Sequence, residues 1–451
     1  MVTAEPYARM APSSAPTARQ IALDLIATVT RRKRPLDDAI DDHPTMGELS
    51  ARDRAFARLL VATVLRRLGQ IDSLIADCLN TPLAPRASLV HDILRIGVSQ
   101  LMFLRTPAHA AVATSVDLAH VRGFLSHKGL VNAVLRRLSV EGQTRVEQQD
   151  AARLNTPDWL WKSWSRAYGE EAARAIAGAH LKEAPLDLTL RLRDEPARAA
   201  QADDWCEKLQ ATQLPTGSLR RPAGGSVTSL PGYSEGAWWI QDAAASLPVR
   251  LLDGIAGREV VDLCAAPGGK TAQLANAGAH VTAIDRSSRR LDRLIANLAR
   301  LDLPVSAIAA DALTWRPQQP IDAVLLDAPC TATGAIRRHP DVSHLKHPED
   351  VARLSVVQQN LLRAAVEMLR PGGSLVYCTC SLEPEEGRDR IAALVESGAP
   401  VERRPITAGE IGAPPDWITA DGDLRTLPCH FAEYDGIDGF YAARLVKREH
   451  A

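Results

Sequence analysis

Apolar residues in the first third of the chain recur at three- and four-residue spacing. Ile21, Leu25 and Val29 form one such run. Phe56, Leu60, Val64 and Leu68 form another, and Leu94, Val98 and Leu101 a third. Each run lines one side of a 3.6-residue helix. Pro35, Pro44, Pro82, Pro85, Pro107 and Gly123 fall between the runs and break them. Ser50, followed by Asp53, reads as an N-cap with an acidic first turn. Residues 17–141 are therefore predicted to form an all-α bundle, behind an Ala-, Pro- and Ser-rich tail at 1–16 that is expected to be disordered.

The period changes further on. Residues 150–230 open on a Trp-rich helical stretch around Trp159, Trp161 and Trp164. Residues 186–193 then alternate apolar and polar positions as a strand does, and a Gly- and Pro-rich loop follows at 215–226. This region is expected to be a small α+β connector. From 236 to 448 strands and helices take turns. Strands are predicted at 259–265, 280–285, 305–311, 323–328 and 374–380, and helices at 287–301 and 349–369. Such alternation implies right-handed crossovers and a parallel sheet covered on both faces. Residues 439–447 read as an edge strand closing the domain.

A chain of 451 residues, 46% apolar and 24% charged, is the size of two or three globular domains. No apolar run is long enough to cross a membrane, and no secretion signal opens the chain, so a cytoplasmic location is expected. Five of the seven cysteines are widely scattered, which argues for reduced thiols rather than a disulfide framework. The net charge of −1 is uninformative, but its distribution is not. Residues 17–141 hold 17 Lys+Arg against 12 Asp+Glu, a net +5, which leaves −6 elsewhere. That split fits a polyanion-binding module joined to an enzyme, or an ordinary solvated surface.

Candidate chemistry gathers at the predicted strand ends. The first strand runs into Cys264-Ala265-Ala266-Pro267-Gly268-Gly269-Lys270-Thr271 and then a helix. In such sheets ligands bind beyond the carboxyl ends of the strands, where a Gly pair and a helix N-terminus present backbone N–H groups. Gly269-Lys270-Thr271 also matches the end of a phosphate loop, but Cys264 stands where that pattern needs its first glycine. Asp285 ends the second strand, where a carboxylate reaches ribose hydroxyls, and Asp311 ends the third, within reach of an adenine amino group. Either Asp is alternatively a helix N-cap.

The fourth strand ends in Asp327-Ala328-Pro329-Cys330 and the fifth in Cys378-Thr379-Cys380-Ser381. Adjacent strands lie about 4.8 Å apart, so Cys330 and Cys380 are expected to face one cleft. That pairing suits methylation of cytosine at carbon 5. A thiolate adding to carbon 6 makes carbon 5 electron-rich, and sulfur also leaves readily afterwards. Asp327 is placed to hydrogen-bond the edge of the base. Buried, inert thiols are the bland alternative for Cys78, Cys206, Cys264 and Cys429, and a metal pair is an alternative for Cys378 and Cys380, although no matching ligand pair stands near.

Asp262-Leu-Cys-Ala-Ala-Pro-Gly-Gly-Lys-Thr, Asp327-Ala-Pro-Cys330 and Thr379-Cys380-Ser381 resemble the RsmB/Sun (Fmu) branch of the NOL1/NOP2/Sun family of RNA cytosine-5 methyltransferases. So do Thr331-Ala-Thr-Gly-Ala-Ile-Arg-Arg-His-Pro-Asp341, Trp239-Ile-Gln-Asp-Ala-Ala244 and Asp438-Gly-Phe-Tyr-Ala-Ala-Arg-Leu445. In the front half, Arg52-Asp-Arg-Ala55, Pro107-Ala-His-Ala-Ala-Val112 and Lys128-Gly-Leu-Val-Asn-Ala-Val-Leu-Arg-Arg137 are similar to the NusB-like RNA-binding domain of that branch. The resemblance implies a NusB-like bundle, a connector and a Rossmann-like class I methyltransferase sheet. It implies S-adenosylmethionine as cofactor, held by Cys264 to Lys270, Asp285, Asp311 and Asp327. It implies Cys380 as nucleophile, Cys330 as an aid to product release, and 16S ribosomal RNA as substrate of a monomer with no obligate protein partner. Thr331 stands where Ser is usual, Cys378 replaces a small residue, and Leu192-Arg193 replaces the usual Val-Asn. The alternatives are another RNA substrate (transfer RNA or large-subunit ribosomal RNA), an RNA-binding antitermination or assembly factor with a silent catalytic domain, and a nucleotide hydrolase.

Overall fold

A computed structural model describes residues 17–191 and 198–449. The expected tail at 1–16 and the Leu192-Arg193 pair lie outside the described residues. The described residues divide into two compact units, residues 17–156 with 339–345, and residues 157–191, 198–338 and 346–449.

The first unit is helical, as its 3.6-residue period dictates. Its helices are α1 (Ala18–Arg32), α2 (Leu36–Asp41), α3 (Ala51–Arg66), α4 (Leu68–Ala76), α5 (Ser88–Met102), α6 (Ala108–Val121), α7 (Lys128–Gln148) and α8 (Ala151–Leu154). Thr17 and Gln20 form a capping box at α1, and the Ser50 hydroxyl accepts the Asp53 N–H at 3.1 Å to start α3. Ile21, Leu25, Val29, Leu60, Val64, Leu94 and Val98 share one core, so the spacing read from the sequence marks the buried stripe. Much of the positive charge is paired within the unit. Arg95 bridges Asp72 and Asp92, Arg31 also reaches Asp92, and Arg122 reaches Asp24. The short helix Val342–Leu345 (α15 in chain order) belongs here too. Asp341 accepts the Leu36 N–H at 2.9 Å, and His344 meets the Leu65 carbonyl at 2.8 Å.

The second unit opens with α9 (Asp158–Tyr168) and α10 (Glu170–His180). A four-stranded antiparallel sheet follows, in the order β2-β3-β1-β4. Its strands are β1 (Leu186–Leu190), β2 (Thr212–Gln213), β3 (Leu219–Arg221) and β4 (Trp238–Ile240), with α11 (Arg198–Leu209) between β1 and β2. The alternation predicted over 186–193 forms a strand at Leu186–Leu190, and its last two residues lie outside the described residues.

The large sheet carries the candidate site. Its parallel part is β5 (Glu259–Leu263), β6 (His280–Asp285), β7 (Ser306–Ala309), β8 (Ile321–Asp327) and β9 (Leu369–Thr379), in the order β9-β8-β5-β6-β7. Beside these elements run α12 (Leu247–Arg250), α13 (Gly269–Asn276), α14 (Ser288–Arg300), α16 (Pro348–Met368), α17 (Arg388–Glu396) and α18 (Ala408–Ile411). The sheet is mixed rather than wholly parallel, because β12 (Phe440–Lys447) runs antiparallel to β9. Nor is β12 an edge. The three-residue strand β10 (Val401–Arg403) lies outside it, and β11 (Leu424–Thr426) pairs with it as well. Two three-residue strands are too short to show a period in the sequence, which is why β12 reads there as an edge. Successive residues of the strands serve opposite faces. Val324, Leu326, Leu375 and Tyr377 pack beneath Leu361, Leu362 and Ile391, while Ala323, Leu325, Val376 and Cys378 pack with Leu247, Leu274 and Trp417. Among the described residues no helix is long and apolar enough to cross a membrane.

Candidate active site

β5 ends at Leu263, and the chain turns sharply into α13. Cys264 takes the left-handed region at φ 62°, and Gly268, at φ 102°, caps the helix. A side chain there is strained by the backbone and would also press on Leu294. Ala265, Ala266 and Gly268 are buried, Cys264 and Gly269 half-buried, and Pro267 exposed. Asp285, at the end of β6, accepts the Ala266 N–H at 3.2 Å and the Ser287 N–H at 2.9 Å. Ser287, not Asp285, caps α14. Asp311 is exposed two residues beyond β7, and its Oδ1 accepts the Leu313 N–H at 2.9 Å. The Ala310 N–H donates to the Asp285 carbonyl at 3.1 Å, which keeps that strand end beside β6.

Lys270, in the first turn of α13, is buried and donates to Asp327 Oδ2 at 2.8 Å. Its ammonium also lies 4.8 Å from the centre of the Phe440 ring. Burial works against the Lys270 charge, but the Asp327 carboxylate more than offsets it and raises its pKa. Buried Asp262 accepts the Thr271 hydroxyl at 2.6 Å, while its Oδ1 has no partner. Burial pushes the Asp262 carboxyl up to about 7. Burial, then the charges of Asp327 and Asp285, pushes the Cys264 thiol up to about 12, so Cys264 is held as a thiol.

The two cysteines meet where β8 and β9 run out. Asp327 stands in register with Cys378, the Ala328 N–H donates to the Cys378 carbonyl at 2.9 Å, and the Gly334 N–H donates to the Cys380 carbonyl at 2.9 Å. Backbone pairing thus continues past the strands and carries Cys330 Sγ to 3.6 Å from Cys380 Sγ. Both are half-buried. The hydrogen bond with Cys380, then burial, holds the Cys330 thiol well above its ordinary range. Cys378 lies in the core on the Cys380 face of β9, with its sulfur 3.6 Å from Asp327 Oδ1. Burial keeps it protonated as well. Among the described residues no group of three or more His, Cys, Asp or Glu is arranged to hold a metal ion.

The turn 264–270, Asp285 and Asp327 are thus joined by direct contacts, with Asp311 at the next strand end and Cys330 and Cys380 beyond Asp327. Sequence reading missed a buried polar cluster beneath the cysteines. Glu386 accepts the Thr331 N–H and hydroxyl, and Glu383 accepts the Ser163 hydroxyl and the Trp164 indole N–H. Burial raises both carboxyls, that of Glu383 to about 7. In the sequence these acids pass for a solvated helix start, and only their closeness to Cys380 marks them.

Asp327 pairs with the buried Lys270 ammonium, Asp285 lies 3.4 Å from the Arg290 guanidinium, and buried Asp262 keeps one carboxyl oxygen without a partner. Both cations are already matched by carboxylates, which suits a ligand without a polyphosphate and disfavours a triphosphate. Acceptors at the ends of β6 and β7 match hydroxyl and amino donors, and the first turn of α13 presents N–H groups to a carboxylate. The donor set therefore fits S-adenosylmethionine, and the fold and site define a Rossmann-like methyltransferase.

The comparisons narrow that class. Residues 249–446 match the family model described as 16S rRNA methyltransferase RsmB/F, and residues 16–139 match the NusB family. Ribosomal RNA small subunit methyltransferase B of Vibrio cholerae is 35% identical over 415 residues, covering 89% of this chain and 91% of the relative. The protein of that name from Pseudomonas syringae is 35% identical over 448 residues, covering 95% and 96%. Among solved structures, PH0851 aligns with a TM-score of 0.73 at 21% identity, covering 96% of this chain and all of that one. A methyltransferase homolog protein from Pyrococcus horikoshii aligns with a TM-score of 0.53 at 27% identity, covering 66% and 97%. The chain belongs to the RsmB/F family of 16S rRNA methyltransferases, with a NusB-family domain at its front.

Proposed function

We propose that this protein methylates carbon 5 of one cytosine in 16S ribosomal RNA through a covalent bond between Cys380 and the base. The observation that carries the reading is the 3.6 Å approach of two half-buried thiols beside the Lys270–Asp327 pair. The small-subunit substrate rests on the relatives named above. In this reading residues 17–141 bind RNA phosphates, residues 150–230 form the connector, and residues 236–448 carry out the chemistry. The protein works as a cytoplasmic monomer with no obligate protein partner.

S-adenosylmethionine supplies an electrophilic methyl group on a sulfonium, and the turn from Cys264 to Lys270, Asp285, Asp311 and Asp327 would hold it. The target base leaves its stack and enters between the strand ends. The Cys380 thiolate adds to carbon 6, and the electron pair moves toward carbon 5. Asp327 accepts a hydrogen bond from the amino group beside the ring nitrogen at the base edge, and Lys270 holds that carboxylate in place and offsets its charge as electron density builds on the ring. Once carbon 5 carries the methyl group, a water molecule removes its remaining proton. The electron pair of that C–H bond re-forms the double bond to carbon 6, and the carbon–sulfur bond breaks with its pair on Cys380. The Cys330 thiol gives its proton to that sulfur and recovers one from water. Neutral Cys330 is what its burial and its bond to Cys380 favour.

Two variants test the reading. Cys380→Ala should abolish methyl transfer and keep binding of the donor. Cys330→Ala should accumulate a covalent protein–RNA species on a denaturing gel. Transfer by the first variant, or absence of a shifted band with the second, overturns the assignment.

A further inference from the structure

Glu386 is fully buried, and its partners are a peptide N–H, the hydroxyls of Thr331 and Ser381 and a carboxamide, none of them cationic. Burying a carboxylate on neutral donors alone is costly, and an apolar residue would fill the space more favourably. Its contacts show what the cost maintains. The Thr331 N–H reaches both carboxylate oxygens, at 3.0 and 3.2 Å, and the Thr331 hydroxyl donates as well. Gln358 on α16 donates to Glu386 at 3.1 Å and to the Pro329 carbonyl at 2.9 Å. The peptides on either side of Cys330 are therefore both tied to this one group. The Thr331 hydroxyl also lies 3.2 Å from the Ser381 hydroxyl, next in the chain to Cys380. The Tyr377 hydroxyl donates to the Glu386 carbonyl at 2.6 Å, which anchors Glu386 to β9.

We propose that Glu386 is a positioning residue for product release: with Gln358 it clamps the turn from Pro329 to Thr331 and so keeps the Cys330 thiol against Cys380. The proposal rests on the release role given to Cys330 above. Of the two sulfurs, methyl transfer needs only Cys380, whereas release needs both together. Loss of the clamp should therefore separate the two steps. The buried charge also opposes ionisation of Cys330, keeping its proton available for the leaving sulfur.

The test uses Glu386→Gln, Thr331→Val and Thr331→Ser in the full chain. Single-turnover methyl transfer is measured beside steady-state turnover and covalent protein–RNA adduct. Glu386→Gln and Thr331→Val should lower turnover about tenfold or more and raise the adduct, while single-turnover transfer stays within about threefold. Thr331→Ser, which keeps the hydroxyl, should behave like the parent. In a Cys330→Ala background, Glu386→Gln should add nothing to the adduct. Equal losses in transfer and turnover, or an additive effect in that background, would show a merely structural role and overturn the proposal. Thr331→Val removes one partner at constant shape and carries the test should Glu386→Gln fail to fold. If Cys330→Ala itself forms no adduct, the reading of Cys330 falls and takes this proposal with it. If Cys330→Ala forms adduct while folded Glu386→Gln and Thr331→Val do not, only the role of Glu386 falls.

Discussion

The Lys270–Asp327 pair makes an asymmetric prediction. The Lys270 side chain is 10% exposed and that of Asp327 is 33% exposed, with 2.8 Å between Nζ and Oδ2. At an effective dielectric of about 20, charges that close attract by roughly 6 kcal/mol, most of which offsets their desolvation. Removing one partner strands the other, and the loss depends on how well water reaches what remains. Asp327→Asn leaves a buried ammonium and should cost about 3–4 kcal/mol. Lys270→Met leaves a carboxylate that water can reach and should cost about 1–2 kcal/mol. In a domain of this size each kcal/mol lowers the melting temperature by about 2 °C, so the shifts should be roughly 6–8 °C and 2–4 °C. The double variant strands nothing and should melt within about 2 °C of the parent. All three should lose methyl transfer, because in the proposed function the pair also orients the base. Differential scanning calorimetry beside a labelled-methyl assay reads both quantities. A double variant no more stable than Asp327→Asn would refute the reasoning, and so would a larger loss for Lys270→Met than for Asp327→Asn.

Gly334 and Asp262 carry further predictions. A Cβ on Gly334 would lie 2.1 Å from the Gly439 carbonyl oxygen, in a stretch whose N–H also holds the Cys380 carbonyl. Gly334→Ala should therefore cost about 3 kcal/mol and impair transfer while donor binding persists, as thermal melting and isothermal titration would show. The Asp262 carboxyl titrates near 7 when folded and near 3.8 in its ordinary state. Between those values the folded chain keeps a proton that the unfolded chain has released. The stability linked to this group is therefore greatest below about pH 4 and falls as pH rises through 7, by up to about 4 kcal/mol. Asp262→Asn keeps the acceptor for Thr271 and should flatten the fall in melting temperature between pH 5 and 8. Glu383 and Asp423, raised to about 7 and about 6, retain the rest. An unchanged slope in Asp262→Asn would contradict the assignment.

Local chemistry explains what could be read in advance. The helical period of residues such as Leu60 and Val64 reports burial directly, and the Ser50 cap is a single local bond. The parallel strands β5, β6, β8 and β9 are long enough to show themselves, and the residues beyond their carboxyl ends face the site because sheet topology requires it. The inner place of β12 was not legible, because β10 and β11 have three residues each and join it from distant parts of the chain. Glu383 and Glu386 were not legible as buried groups, since their partners Ser163, Trp164, Thr331 and Gln358 come from separate elements. Asp285 ends its strand and Asp311 lies two residues past β7, but both are also bonded to nearby backbone N–H groups, a use that position along the chain alone does not reveal.

In the proposed reaction carbon 5 of the base exchanges its hydrogen for the methyl group. Ribosomal RNA prepared with tritium at carbon 5 of its cytosines, incubated with the protein and S-adenosylmethionine, measures that exchange directly. One tritium should appear in water for every methyl group transferred, and Cys380→Ala should release none. Methyl transfer with the tritium retained on the RNA would place the methyl on another atom and contradict the account.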